Sequence, residues 1–233
     1  MSQLPILMVP GLGCTAEVFV PQLPALWPFG PLTIASTLEG DSMAAIAAGI
    51  LATAPPRFAL GGISMGGYLC FEILRQAPER VVKLALLDTS ARPDRPEQSA
   101  LRRTLVARAR KGELEAAAKE AFPGLVHPDH KDDATLAALS LRMNLAIGVE
   151  GFARQQGAII ARPDSRPGLG SIHVPTLVLV GDADQLTPPE LAQEIAAGIA
   201  GSRLVVVPGS GHMSTWEQSD AVNEALVDWL QDG

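Results

Sequence analysis

Six short apolar runs constrain this chain more than any other feature: ILMVP (6–10), LTIAS (32–36), FALGGI (58–63), VVKLALLD (81–88), TLVLVG (176–181) and RLVVVP (203–208). They are rich in Val, Ile and Leu, bounded by Gly, Pro, Asp or Ser, and continuous rather than alternating. Such runs suit strands covered on both faces. The segments between several of them carry apolar residues at helical spacing, and helices are expected over roughly 42–54, 65–77, 188–200 and 217–231. Pro188 and Pro189 near a helix start and Pro78 just after a helix end fit proline's fixed φ and missing donor. Parallel strands need crossovers, which these intervals can hold, so the expected architecture is a parallel sheet with helices on both sides.

Residues 92 to 166 break that rhythm. No β-like run occurs there, and LRRTLVARA, LEAAAKEAF, LAALSLRMNL and VEGFARQQGAII all repeat at helical spacing. The reading is an all-helical insertion (92–166) in a core made of 1–91 and 167–233. Its flanks, ARPDRPEQ and ARPDSRPGLG, are rich in Pro and polar residues and are read as hinges. Charge divides at the same boundary: the insertion has 13 Lys+Arg against 10 Asp+Glu, and the rest 5 against 15. A locally basic insertion therefore sits on an acidic body.

The formal net charge of −7 argues against a surface that neutralises nucleic-acid phosphates or anionic lipid. Neither nucleic acid nor membrane is expected as a partner. Cys14 and Cys70 are the only cysteines, too few for a disulfide framework and without zinc-site spacing, so reduced thiols in a cytoplasm are expected. The N-terminal stretch MSQLPILMVPG has no basic leader and is interrupted by Pro5 and Pro10, which fits neither a signal peptide nor a span.

Gly62-Ile63-Ser64-Met65-Gly66 matches G-x-S-x-G between a predicted strand and a predicted helix. A serine on so sharp a turn has a strained backbone, and the positions two residues away must lack side chains so that strand and helix can approach. Its hydroxyl is then held at the carboxyl edge of the sheet. A glycine-rich tight turn with no chemistry is the alternative. Serine needs a base within hydrogen-bond reach and a third group to orient that base. Of four histidines, His212 follows the last strand and emerges at the same edge. His127 and His130 belong to the insertion and His173 precedes a strand, where structural or solvated roles are expected. For the acid, Asp182 and Asp184 compete in GDADQLTPP; Asp184 lies deeper in the turn, and Asp88 at the end of VVKLALLD is a further competitor.

The chain order Ser64, Asp184, His212 resembles that of the α/β-hydrolase fold superfamily, in particular small capped serine esterases and lactonases. GISMGGYLCFEILRQAPERVVKLALLDTSARPD looks like their elbow, helix and following strand, GDADQLTPPE like their acid loop, and GSGHMSTWEQSDAVNEALVDWL like their histidine loop and last helix. The resemblance covers the chain outside the insertion, which occupies the place of a cap, and it supports Asp184 as the acid. It implies an oxyanion hole from the backbone N–H groups of Leu12 and Met65. Three departures stand out. Pro10-Gly11 replaces the usual His-Gly, which puts that loop's hydrogen bonding in question. An initial antiparallel strand pair is missing, so six parallel strands in the order 2-1-3-4-5-6 are expected. The loop before the second helix is reduced to TLEGDSM, which should leave one pocket wall open.

The implied activity is hydrolysis of a small carboxylic ester or lactone through an acyl-enzyme, with no metal or organic cofactor. A carbon–carbon bond hydrolase or a cofactor-free perhydrolase would use the same residues, and a small-molecule receptor could retain the fold. Cys14 beside the oxyanion loop, Met143 of the insertion and Met213 next to the histidine are candidate substrate contacts, and Cys70 is expected in the core. Phe122 and Phe152 are the insertion's only aromatics, which suggests a modest aliphatic pocket. Arg102, Arg103, Arg108 and Arg110 form either a solvated helix face, the commoner fate of such residues, or a site that draws anionic substrates. Oligomeric state is not readable.

Overall fold

A computed structural model describes residues 4–232; the first three residues of the N-terminal stretch discussed above, and Gly233, lie outside the described range. The six strands are β1 (Ile6–Val9), β2 (Leu32–Ile34), β3 (Phe58–Ile63), β4 (Val81–Leu87), β5 (Thr176–Gly181) and β6 (Arg203–Val207). All pair in parallel, in the order β2-β1-β3-β4-β5-β6.

The helices are α1 (Leu23–Leu26), α2 (Met43–Thr53), α3 (Met65–Gln76), α4 (Pro96–Arg108), α5 (Leu114–Ala121), α6 (Ala134–Ile160), α7 (Pro189–Gly198), α8 (Ser214–Glu217) and α9 (Ser219–Gln231). Alternation along the strands divides the core into two layers. Leu7, Val9, Leu84 and Leu86 pack with α2, α3 and α7 on one face. Ile6, Met8, Ala85 and Leu87 pack with α9 and Phe19 on the other. Both faces of the four central strands, β1, β3, β4 and β5, are buried, which is why these runs read as continuous apolar stretches.

Two local features depart from the periodicity. The β1–β2 crossover is a chain of short helical turns over 16–29, for which the sequence predicts no helix. Pro21, Pro24 and Pro28 remove an amide donor every few residues, so the segment closes 3₁₀ turns with only a single turn of α-helix. The expected C-terminal helix over 217–231 starts earlier and divides at Gln218 into α8 and α9. Lys83 on β4 sends its buried Nζ to the carbonyls of Trp229 and Leu230, both at 3.0 Å, and of Asp232. It satisfies carbonyls that the end of α9 would otherwise leave without partners.

Between β4 and β5 the described chain forms helices joined by turns and loops, with no strand. α6 is broken at Gly148 (φ 71°, ψ 173°), so the two periodic stretches seen in the sequence become two limbs of one kinked helix. By length and hydropathy α6 could cross a membrane, yet it carries Arg142, Glu150 and Arg154 and buries Leu136, Leu139 and Met143 against the core. The flanks of the insertion lie side by side: Ser165 N–H donates to the Ala91 carbonyl at 2.9 Å, and Arg162 pairs with Asp94 at 2.5 Å. The shortened loop before α2 is held by this insertion, since Arg154 donates to the Leu38 carbonyl and Gln155 to Thr37 Oγ1.

Candidate active site

Ser64 joins β3 to α3 with φ 55° and ψ −117°, outside the conformations ordinary side chains favour. Its glycine neighbours are required by contact. A Cβ on Gly66 would stand 2.0 Å from the Val9 carbonyl oxygen, and one on Gly62 would stand 2.4 Å from that of Gly66. The turn is tied down by Ser64 N–H to the Leu87 carbonyl (3.0 Å) and by Thr89 Oγ1 donating to the Ser64 carbonyl (2.7 Å).

Two later strand ends bring up the other groups. His212 Nε2 lies 2.8 Å from Ser64 Oγ, and His212 Nδ1 lies 2.7 Å from Asp184 Oδ2. An ionised Asp184 only accepts, so Nδ1 carries the proton and Nε2 is left to accept the serine O–H. Asp184 is fixed in turn: Leu186 N–H and Thr187 N–H donate to Oδ1 at 2.9 Å each, and Thr187 Oγ1 donates to Oδ2 at 2.7 Å. Burial raises the Asp184 pKa, but His212 and the Thr187 donors outweigh it and hold the carboxyl at about 2. Burial lowers that of His212, and the facing Asp184 carboxylate more than offsets it, so the imidazole titrates above its ordinary value.

Asp182 and Asp88, the two competitors for the acid, and the two cysteines are accounted for differently. Asp182 is exposed and accepts Ser210 N–H, bracing the loop. Asp88 is fully buried at the end of β4, with φ 43°, accepting Gly181 N–H at 3.0 Å and the Ser214 hydroxyl at 2.5 Å. Burial and the nearby Asp184 charge push its carboxyl up to about 8, so it is largely protonated at neutral pH. Cys14 lines the cavity, and burial lifts its thiol to about 12, which leaves it protonated and poorly nucleophilic. Cys70 is a core residue.

The profile of the Alpha/beta hydrolase family matches residues 4–225. The chain belongs to this family. A thermophilic esterase from Thermogutta terrifontis is similar over 98% of this chain and 89% of its own, with 31% identity and a TM-score of 0.89. The enol-lactonase from Burkholderia xenovorans LB400 is similar over 100% of this chain and 93% of its own, with 26% identity and a TM-score of 0.88. Among curated proteins, the biotin biosynthesis bifunctional protein BioHC of Cellvibrio japonicus is 26% identical over 99% of this chain, which spans about half (48%) of that protein.

In this α/β-hydrolase a cavity of about 770 Å³ opens above Ser64, between the sheet edge and the insertion. Cys14, Met143 and Met213 all line it, as does Leu12, while Met65 buries its side chain in the core below. The Gly11–Leu12 turn abuts the serine, since a Cβ on Gly11 would lie 3.3 Å from Ser64 Cβ. No partner is found for the Leu12 or Met65 N–H among the described residues. The Pro10-Gly11 loop is braced by Gln155 of α6, whose Oε1 accepts Gly13 N–H at 3.0 Å. Of the four arginines expected on one helix, Arg102, Arg103 and Arg108 lie on α4 and Arg110 just beyond its end, and Arg102 alone lines the cavity. Arg108 and Arg110 pair with glutamates on the outer surface, and Arg103 is exposed.

The insertion also grips the histidine loop. Leu125 carbonyl accepts both His212 N–H (2.9 Å) and Met213 N–H (3.1 Å). The buried Glu217 carboxylate takes Gly211 N–H (2.9 Å), His127 N–H (2.6 Å) and His130 Nδ1 (2.9 Å). His127 and His130 thus brace the loop through Glu217, and His173 is exposed. The periodicity of the sequence had singled out neither Gln155 nor Glu217, and only the packing of the insertion reveals what they hold.

Proposed function

We propose that the chain is a serine hydrolase of small carboxylic esters or lactones, working through Ser64, His212 and Asp184. The observation that carries this reading is the unbroken hydrogen-bonded series from Ser64 Oγ through both ring nitrogens of His212 to Asp184. As Ser64 attacks the carbonyl, His212 Nε2 takes its proton, and the depressed pKa of Asp184 keeps a negative charge facing the imidazolium. The N–H groups of Leu12 and Met65 would meet the oxyanion; each such donor is worth about 2.7–4 kcal/mol of barrier. The imidazolium then protonates the leaving oxygen, and water activated by the same ring releases the acyl-enzyme.

The helical insertion 92–166 serves as a cap over the core of 1–91 and 167–233, because it supplies the roof of the cavity and much of its apolar wall. A cavity of about 770 Å³ admits a small or medium ester and falls within the range of small-molecule sites. The likeness to the Thermogutta terrifontis esterase and to the enol-lactonase supports ester and lactone bonds as the substrate class. Cytoplasmic location fits two unpaired thiols.

The test is a panel of short-chain esters and lactones with wild type and Ser64→Ala, together with a fluorophosphonate label. Turnover and labelling that both vanish in Ser64→Ala, with an unchanged circular dichroism spectrum, are expected. Turnover retained by Ser64→Ala would mean another nucleophile, and no turnover or labelling of wild type would favour a receptor.

A further inference from the structure

One end of the cavity is built from buried donors. Arg102 Nε donates to Asp94 Oδ2 at 2.7 Å, Arg162 Nη1 donates to Asp94 Oδ1 at 2.5 Å, and the Asp94 side chain is 1% exposed. Two guanidinium groups thus share one carboxylate whose oxygens are both engaged, leaving one positive charge in excess. Arg102 Nη1 donates to Gln156 Oε1 at 2.9 Å. Because arginine only donates, the amide oxygen of Gln156 must face Arg102, and its Nε2 must point the other way. The Arg162 guanidinium lies 4.2 Å from the centroid of the Tyr68 ring, which fixes the plane of both groups.

Three donors here have no hydrogen-bond partner among the described residues: Tyr68 Oη, Gln156 Nε2 and Arg162 Nη2. Each belongs to a residue that lines the cavity and is at least nine-tenths buried: Tyr68 is 8% exposed, Gln156 1% and Arg162 9%. These three atoms are not sealed inside the protein but open into the cavity, so on one wall beside an excess positive charge they present free donors to an acceptor held there. Burial raises the Tyr68 phenol above its ordinary pKa although both arginines pull it down, so it stays a donor at neutral pH. Ser90, also on this wall, adds a hydroxyl that can donate. The carboxylates nearby do not fill the role: Glu194 is taken up by Arg92, and Glu190 is exposed at the rim.

We infer that this end of the cavity is a carboxylate-binding subsite, and that the preferred substrates are small esters or lactones carrying a carboxylate a few carbons from the scissile carbonyl. This rests on the hydrolase reading above. The spacing is short because Tyr68 lies in the first turn of α3, the helix that begins directly after Ser64, and both residues line the same cavity. A planar carboxylate can accept from Arg162, Gln156 and Tyr68 together, whereas a neutral chain leaves them all unpaired.

The test uses two matched pairs that differ only in a terminal carboxylate for methyl: monomethyl glutarate against methyl pentanoate, and 4-acetoxybutanoate against butyl acetate. The expected result is a kcat/KM at least tenfold higher for the anionic member of one pair, falling with added salt. Tyr68→Phe, which deletes one oxygen, and Gln156→Leu should each cut that anionic-to-neutral ratio at least fivefold. A ratio near one in both pairs, or one that neither variant changes, overturns the subsite while leaving the hydrolase reading intact. Absence of turnover for all four esters overturns the hydrolase reading instead only when the wider ester and lactone panel and the fluorophosphonate label fail as well. Either way, the subsite then stands or falls by whether glutarate raises the melting temperature of wild type and not of Tyr68→Phe.

Discussion

Gln155, on the second limb of α6, accepts the Gly13 N–H at 3.0 Å across 142 residues of sequence, while its own Nε2 donates to Thr37 Oγ1 at 2.9 Å. One buried amide therefore joins the insertion to the loop carrying the Leu12 N–H and to the turn after β2. Asn144, on the first limb, presses on the same glycine: a Cβ there would lie 2.4 Å from its Oδ1. Gln155→Leu should lower kcat about tenfold, roughly 1.4 kcal/mol of barrier, with KM little changed, because a loosened oxyanion donor is felt mainly in the transition state. Gln155→Glu, which keeps an acceptor for Gly13, should recover part of the loss. Steady-state kinetics on one ester checks both, and an equal rise in KM alone would mean that Gln155 only shapes the pocket.

The two buried aspartates should separate cleanly. Asp184→Asn removes the acceptor of the His212 Nδ1 proton and should cost on the order of 10⁴ in kcat. Asp88→Asn keeps an oxygen for Gly181 N–H and should cost less than tenfold. Kinetics of the two variants decides, and the reverse ranking would move the acid to the end of β4.

The pH dependence follows from the same groups. Only neutral His212 can accept the serine proton, and its pKa lies above the ordinary 6.5, so kcat/KM should fall as pH drops through a value above 6.5. For stability, Asp184 is depressed from 3.8 to about 2. Its contribution is fully present above 3.8 and is lost as pH falls through about 2. Asp88 acts oppositely. With a pKa raised from 3.8 to about 8, its folded form holds the proton more tightly, so it costs stability increasingly as pH rises across that window. Thermal melts of wild type and Asp88→Asn should therefore diverge between pH 4 and pH 8, the variant becoming relatively more stable as pH rises.

Glycines at the elbow and elsewhere should respond in opposite directions. Gly66→Ala would drive a methyl into the Val9 carbonyl and should destabilise by more than about 3 kcal/mol or prevent folding. Gly49, exposed in α2 with open space around it, should instead gain about 0.5–1 kcal/mol as alanine. Denaturant melts of the two variants check this.

Local pattern determined a good deal. The sheet was legible because its central strands are dry on both faces, so FALGGI and TLVLVG announce themselves as continuous apolar runs, and parallel pairing followed from the helical intervals between them. Ser64 and His212 stood out because each sits just past a strand end, where the side chain must emerge at one edge; Asp182 and Asp88 share that position with Asp184, and the family resemblance supported the choice among them. The turns over 16–29 were hidden by prolines that break helical periodicity without preventing helical closure.

What tertiary structure alone decided is whatever depends on contacts between distant segments. Gln155 reaches Gly13, Glu217 clasps the loop of His127, and Tyr68, Gln156 and Arg162 converge on one wall from α3, α6 and the returning flank. In sequence each is an unremarkable polar residue on a helix or loop. Burial without a local partner gives each its meaning, because a polar atom out of water must find its complement wherever the fold brings one. The sequence thus determined the sheet and the residues at its edge, and the packing of the insertion onto that edge decided how the site is braced and what kind of molecule it can hold.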